Sequence, residues 1–170
     1  MKIILVHTPF NPKKPLTIIA HLIRKIAGTF YNHCAFLVEL NGLQYVLESD
    51  IKGVVKTPLK EWIKNQTCNV YEIPQELEFN AHNKANAMVG KLGYSFIDLL
   101  WFMPIFILTN KFYGLTKEES CNKPTCYEYV ARVMGFDNWW RMTPNELKKE
   151  LELRNYKQVG FNVHAKNLLK

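Results

Sequence analysis

The chain has 170 residues, 48% of them hydrophobic and 22% charged, with a net charge of +7. That balance excludes a disordered or low-complexity chain, and the length suits one domain, residues 1–170, with a sizeable core. The excess of Lys and Arg favours an anionic polymer or a membrane surface as partner, and no specific nucleic-acid motif accompanies it.

Four cysteines, Cys34, Cys68, Cys121 and Cys126, are too few for a disulfide scaffold in a chain of this size. Met1 to His7 is too brief an apolar run for a signal peptide. The strongest apolar stretch, Phe96 to Leu108, is broken by Asp98 and Pro104 and is shorter than the roughly 20 residues a spanning helix needs. A reducing, cytoplasmic setting is therefore expected.

Lys2 to His7 is a β-branched run and is expected to be a strand. A Pro-containing turn follows. A helix is then expected with Ile18, Ile19, Leu22, Ile23 and Ile26 on one face and Gly28 at its end. His21 lies on the flank of that helix. The next two runs, His33 to Leu40 and Leu43 to Asp50, flank Asn41-Gly42, the strongest two-residue hairpin signal. With that loop, Leu40 opposes Leu43 and His33 opposes Asp50. Alternation then puts Cys34, Phe36, Val38, Leu40, Leu43, Tyr45 and Leu47 on the core face. His33, Ala35, Leu37, Val46, Glu48 and Asp50 fall on the other. His33 and Glu48 become diagonal neighbours within side-chain reach. A one-residue slip in register would part them. An imidazole beside a carboxylate is what a general base requires; an exposed strand histidine balanced by nearby acids is the alternative. Cys34 should point inward and be inert.

Gly53 to Lys56 is expected to be a strand. Thr57 should cap a helix with Pro58 at its first position. Cys68 to Ile73 should form a further strand, and Asn80 to Leu92 a helix closed by Gly93. Ser95 and Asp98 are spaced as a capping box before the apolar stretch, read as a buried helix kinked or stopped at Pro104. Asn110 to Pro124 is expected to be a loop. Thr143 to Leu153 reads as an amphipathic helix, and Val159 to Val163 as a short terminal strand.

The chemistry concentrates at Thr125-Cys126-Tyr127-Glu128. Thr125 is a good N-cap, Glu128 completes a capping box, and Gly135 is a natural stop. Cys126 then occupies the first helical position, where free N–H groups and the helix dipole favour a thiolate. The same N–H groups can hold an oxyanion. The alternative is a buried structural cysteine. A zinc site from Cys121, Cys126 and His33 lacks a second ligand pair at metal spacing, so no metal and no cofactor is expected.

His33 with its strand, Glu48, Gly53-Val54-Val55, Pro58-Leu59, Trp62, Leu92-Gly93-Tyr94 and Thr125 to Val130 come in an order that resembles the circularly permuted papain-like proteins of the NlpC superfamily. The YiiX-like group is most similar, and the lecithin retinol acyltransferase-like enzymes more distantly so. The resemblance spans about Tyr31 to Gly135. It implies an α+β fold in which a small antiparallel sheet or barrel packs on the helix carrying the cysteine. It also implies Cys126 as nucleophile, His33 as base and Glu48 as its orienting group, with Asp50 as the fallback. The family's cysteine is often followed by a small residue, whereas Tyr127 is bulky. Tyr94 and Tyr127 are the expected substrate-binding residues, Tyr94 at a cleft wall. Three functions are compatible with this pattern. One is a thiol peptidase or amidase acting on substrates such as cell-wall peptides. The second is a lipid acyl hydrolase or acyltransferase using the same residues. The third is a non-catalytic binding module.

Overall fold

A computed structural model describes residues 1–13, 17–18, 21–22, 24–25, 28–63, 66–94 and 117–169. Six strands form one antiparallel sheet: β1 (Lys2–His7), β2 (His33–Leu40), β3 (Leu43–Asp50), β4 (Gly53–Pro58), β5 (Thr67–Glu72) and β6 (Gln158–His164). Their order across the sheet is β4-β3-β2-β1-β5-β6. Among the described residues the helices with defined bounds are α1 (Leu59–Trp62), α2 (Gln75–Met88), α3 (Lys117–Asn122), α4 (Cys126–Met134) and α5 (Pro144–Leu153). The α+β class expected from the sequence is therefore observed. Among the described residues no helix is long and apolar enough to cross a membrane.

β1 lies at the centre, paired with β2 on one side and β5 on the other. Its residues Ile3, Ile4, Leu5 and Val6 are essentially inaccessible, which explains an unbroken apolar run where half-exposed strands alternate. The Asn41-Gly42 turn has positive φ at both residues (52° and 74°), as a type I′ hairpin demands. It sets the predicted register, from Leu40↔Leu43 to Phe36↔Leu47. The described ladder ends there, so His33 is not paired with Asp50. β2 continues instead along β1, with Val6 opposite His33.

The expectation of one core face and one solvent face needs correction. Cys34, Phe36, Val38 and Leu47 pack towards α4 in the main core. Ala35, Leu37 and Val46 are equally buried, in a second cluster with Leu59, Trp62 and Ala165. α1 and the 3-10 turn Ala165–Leu169 cover that face. At the hairpin tip the reverse holds, and Leu43 is exposed because no element reaches that far.

α4 is buried on nearly every side: Cys126 to Ala131 and Val133 are all core residues. It packs on β2 and β3, with Tyr129 edge-on to Phe36 at 5.7 Å. Thr125 and Glu128 form the reciprocal capping box, and Gly135 ends the helix at φ 69°. Thr143 and Glu146 repeat the device on α5.

Other boundaries moved. Thr57 caps nothing; it belongs to β4, and α1 begins after Pro58. α2 starts at Gln75 behind Pro74 and stops at Met88, with Gly90 at φ 71°. Gln75, Glu76 and Glu78 suit a first helical turn, where acidic side chains meet the dipole. α3 lies within the segment expected to be a loop. Residues 17–18, 21–22 and 24–25 are helical, with Ile18 and Leu22 exposed. Ile19, Ile23, Ile26, the Ser95–Asp98 capping box and the Phe96–Leu108 stretch lie outside the described residues.

Candidate active site

The site is built where β2 and β3 part company and the N-terminus of α4 enters. Ser49 on β3 donates from Oγ to the Pro124 carbonyl at 2.6 Å, tying the residue before the helix cap to the sheet. At the cap, Glu128 Oε2 accepts the Thr125 N–H (2.8 Å) and Oε1 accepts from Ser120 Oγ (3.2 Å). Thr125 Oγ1 accepts the Glu128 N–H, and the Thr125 carbonyl accepts the Tyr129 N–H. A helix leaves its first N–H groups without intrahelical partners. Here the capping box uses that of Glu128. The N–H groups of Cys126 and Tyr127 have no partner among the described residues.

His33, on the first residue of β2, bonds through Nε2 to Glu48 Oε2 at 2.6 Å. The Trp62 indole N–H donates to the same oxygen at 2.8 Å. Glu48 is 7% exposed, so its charge depends on these donors rather than on water. Asp50, the fallback orienting group, instead accepts the Lys52 N–H at 2.7 Å and turns its own loop.

Cys126 and His33 act on each other directly. Burial pushes the Cys126 thiol up, but the Cys34 thiol, the His33 charge and hydrogen bond, and the Cys34 main chain together hold it well below the usual thiol range. Burial alone would lower His33; the Cys126 charge and hydrogen bond, with those of Glu48, outweigh it and raise the imidazole to about 10. Both shifts favour a thiolate–imidazolium pair. With Nε2 committed to Glu48, Nδ1 is the ring nitrogen left for the sulfur.

Cys34 is inward-facing and fully buried, as the alternation implies. Burial, and then its hydrogen bond to Cys126 and the charge there, push its thiol well above the usual range. It is thus a poor nucleophile and a donor to its neighbour. Its part in the site was missed in sequence; only the contact across β2 to the helix start reveals it. Trp62 was part of the pattern behind the resemblance, but nothing local shows that its N–H reaches Glu48 on β3, two elements earlier in the chain.

Tyr94 is half-buried at the far side. Burial, followed by the charges of Cys126, Cys34, Glu128 and Asp50, raises its hydroxyl strongly, which places it close to the thiol. The 90–94 segment is fixed from below: Gly90 N–H bonds Val54 O, Val54 N–H bonds Leu92 O, and Gly93 N–H bonds Asn122 O. Tyr127 packs in the core rather than on a surface groove, and its buried hydroxyl has no partner among the described residues. Cys121 sits on α3, half-buried, its carbonyl accepting from Arg132, and it is not among the groups acting on Cys126.

No family model and no curated protein matches the sequence. Among solved structures, the crystal structure of the metalloprotein YiiX from Escherichia coli O157:H7 is similar, with a TM-score of 0.52 at 19% identity. The match covers 89% of this chain and 79% of that one. The protein therefore has a YiiX-like α+β fold. Among the described residues of this chain, no group of three or more His, Cys, Asp and Glu side chains is arranged to hold a metal ion. Around Cys126 the donor atoms are engaged with one another.

Proposed function

We propose that the protein is a cysteine-dependent hydrolase with the permuted papain-like arrangement of the NlpC superfamily, cleaving amide bonds through a Cys126-His33-Glu48 triad. The observation carrying this reading is the His33 ring bonded by a buried carboxylate on one nitrogen and acting on a thiol at a helix N-terminus, with His33 held above and Cys126 below their ordinary values. A structural cysteine needs neither partner.

In this mechanism the Cys126 sulfur attacks the substrate carbonyl carbon. The electron pair of the C=O moves to oxygen, and the oxyanion is received by the N–H groups of Cys126 and Tyr127. The tetrahedral adduct collapses, the C–N bond breaks, and His33 delivers its proton to the departing amine. A thioester remains. Water attacks it as His33 takes the water's proton, the C–S bond breaks, and the acid leaves with the thiolate restored. Glu48 keeps the imidazole in place throughout, and Trp62 keeps Glu48 in place. The Tyr94 hydroxyl is the candidate third donor to the oxyanion.

The substrate class proposed is a peptide or other amide, cell-wall peptides among them. The test is incubation of the protein, and of Cys126→Ala, with purified cell-wall peptides and separately with phospholipids and acyl thioesters. Release of new amino termini by the wild type alone supports the reading. Cys126-dependent release of fatty acid, with peptides untouched, would replace it by the lipid acyl alternative. Inertness toward all three, with Cys126 unreactive to iodoacetamide, would leave a binding module.

A further inference from the structure

Residues 1–38 contain no Asp or Glu, yet they carry Lys2, Lys13, Lys14, Arg24 and Lys25. The positive charge of the chain is therefore not evenly spread. Part of it converges on an open surface pocket of about 410 Å³ lined by His21, Arg24, Lys25, Thr29 and Phe30. The Arg24 Nε is buried with no hydrogen-bond partner among the described residues. One terminal nitrogen of the same guanidinium is 3.4 Å from His21 Nδ1. No ion pair to Arg24 exists among the described residues, and the flanking sequence has no carboxylate to offer one.

The surroundings make that charge uncomfortable. Burial lowers Arg24 from its ordinary value. Burial, and then the charge of Arg24, holds His7 below its own. A guanidinium partly removed from water is unfavourable unless an anion answers it, and its planar fork suits the paired oxygens of a carboxylate or phosphate. Aromatic rings stand beside it: Phe30, which lines the pocket, stacks on His7 at 4.2 Å, and Phe10 lies 5.0 Å from His21.

We propose that this pocket binds an oxyanion, a phosphate or carboxylate group carried on an apolar body. Arg24 grips the oxygens, Lys25 adds charge, and Phe30 packs on the body. Along the chain the pocket's Phe30 precedes His33 by three residues, and the His7 on which Phe30 stacks follows the Val6 that pairs with His33. Use of the pocket as an anchor for the anionic end of an acyl substrate rests on the thiol-hydrolase reading; the binding itself does not.

The test is calorimetric titration of the full chain at neutral pH and constant ionic strength, with sodium phosphate and separately with sodium acetate. Saturable binding of either anion is expected, and whichever binds names the group. Arg24→Gln should weaken it at least ~10-fold, as expected for loss of a charged bidentate donor. Lys25→Gln should weaken it less. Lys157→Gln removes the same charge from a residue 4.0 Å from Glu72 and should change nothing. If Arg24→Gln melts early in chloride, Lys25→Gln decides the matter. Absence of saturable binding to the wild type overturns the proposal, and so does equal weakening in Lys157→Gln, which would mark general charge screening. The same titration of Cys126→Ala should match the wild type, whether or not Cys126 is a nucleophile.

Discussion

Glu48→Gln tests the triad at its least obvious member. The substitution keeps the shape and one acceptor but deletes the charge behind His33. The pair is close, 2.6 Å, and largely shielded, with side chains 22% and 10% exposed. A hydrogen bond to a charged group contributes about 1.5–3 kcal/mol. At 1.36 kcal/mol per unit, that is about one to two units of proton affinity on His33. The His33 charge is in turn one of the main supports of the Cys126 thiolate. The sign follows directly. Cys126 is held below its ordinary value, so its thiolate forms early as pH rises; weakening His33 moves that midpoint upward. Alkylation of Cys126 by iodoacetamide, followed by peptide mass mapping from about pH 5 to about pH 9, reads the shift. The midpoint should rise by about one unit, the neutral-pH rate should fall about 10-fold, and the curves should converge at alkaline pH. Superimposable profiles for wild type and Glu48→Gln would refute the reasoning and separate Glu48 from the thiol.

Trp62→Phe removes one of two donors to Glu48 Oε2 while keeping an aromatic ring. Its alkylation profile should lie between those of the wild type and Glu48→Gln, and a wild-type profile would reduce Trp62 to packing. Gly53 stands at φ 104°, and an added Cβ would meet the Leu92 carbonyl oxygen at 2.3 Å. Gly53→Ala should therefore destabilise by on the order of 2 kcal/mol, a fall in Tm of about 4–8 °C; an unchanged melting curve would show that the 90–94 segment is not docked as described. Tyr94→Phe should lower kcat about 10-fold with KM little changed if the hydroxyl meets the oxyanion. Equal turnover would leave Tyr94 as a wall.

The most legible part of the fold was that written in local chemistry. Asn41-Gly42 specified both a turn type and, through it, the register that brings His33 to Glu48. Thr125, Glu128 and Gly135 marked both ends of α4 because caps satisfy backbone groups within a few residues. Boundaries set by tertiary contacts were less readable. Pro74 looked like the end of a strand and is the residue before a helix. Gly93 looked like a helix stop, but Gly90 has the left-handed backbone, and the chain beyond it docks along β4. The two-sided burial of β2 was hidden for the same reason: a helix was expected after Thr57, but a single turn has no periodicity to show which face it covers, and Leu59, Trp62 and Ala165 together close it.

Cys34 shows what alternation along a strand cannot convey. Pattern alone made it an inert neighbour of the base. In the folded chain it acts on Cys126, and the two thiols shift in opposite directions, Cys34 up and Cys126 down. The lowered Cys126 thiol thus has supports from separate elements: the Cys34 thiol and main chain on β2, and His33, bonded to the Glu48 that also accepts from Trp62. These come from different elements, beyond the point where the β2–β3 ladder stops at Phe36↔Leu47. Loss of any one support should weaken the thiolate without abolishing it.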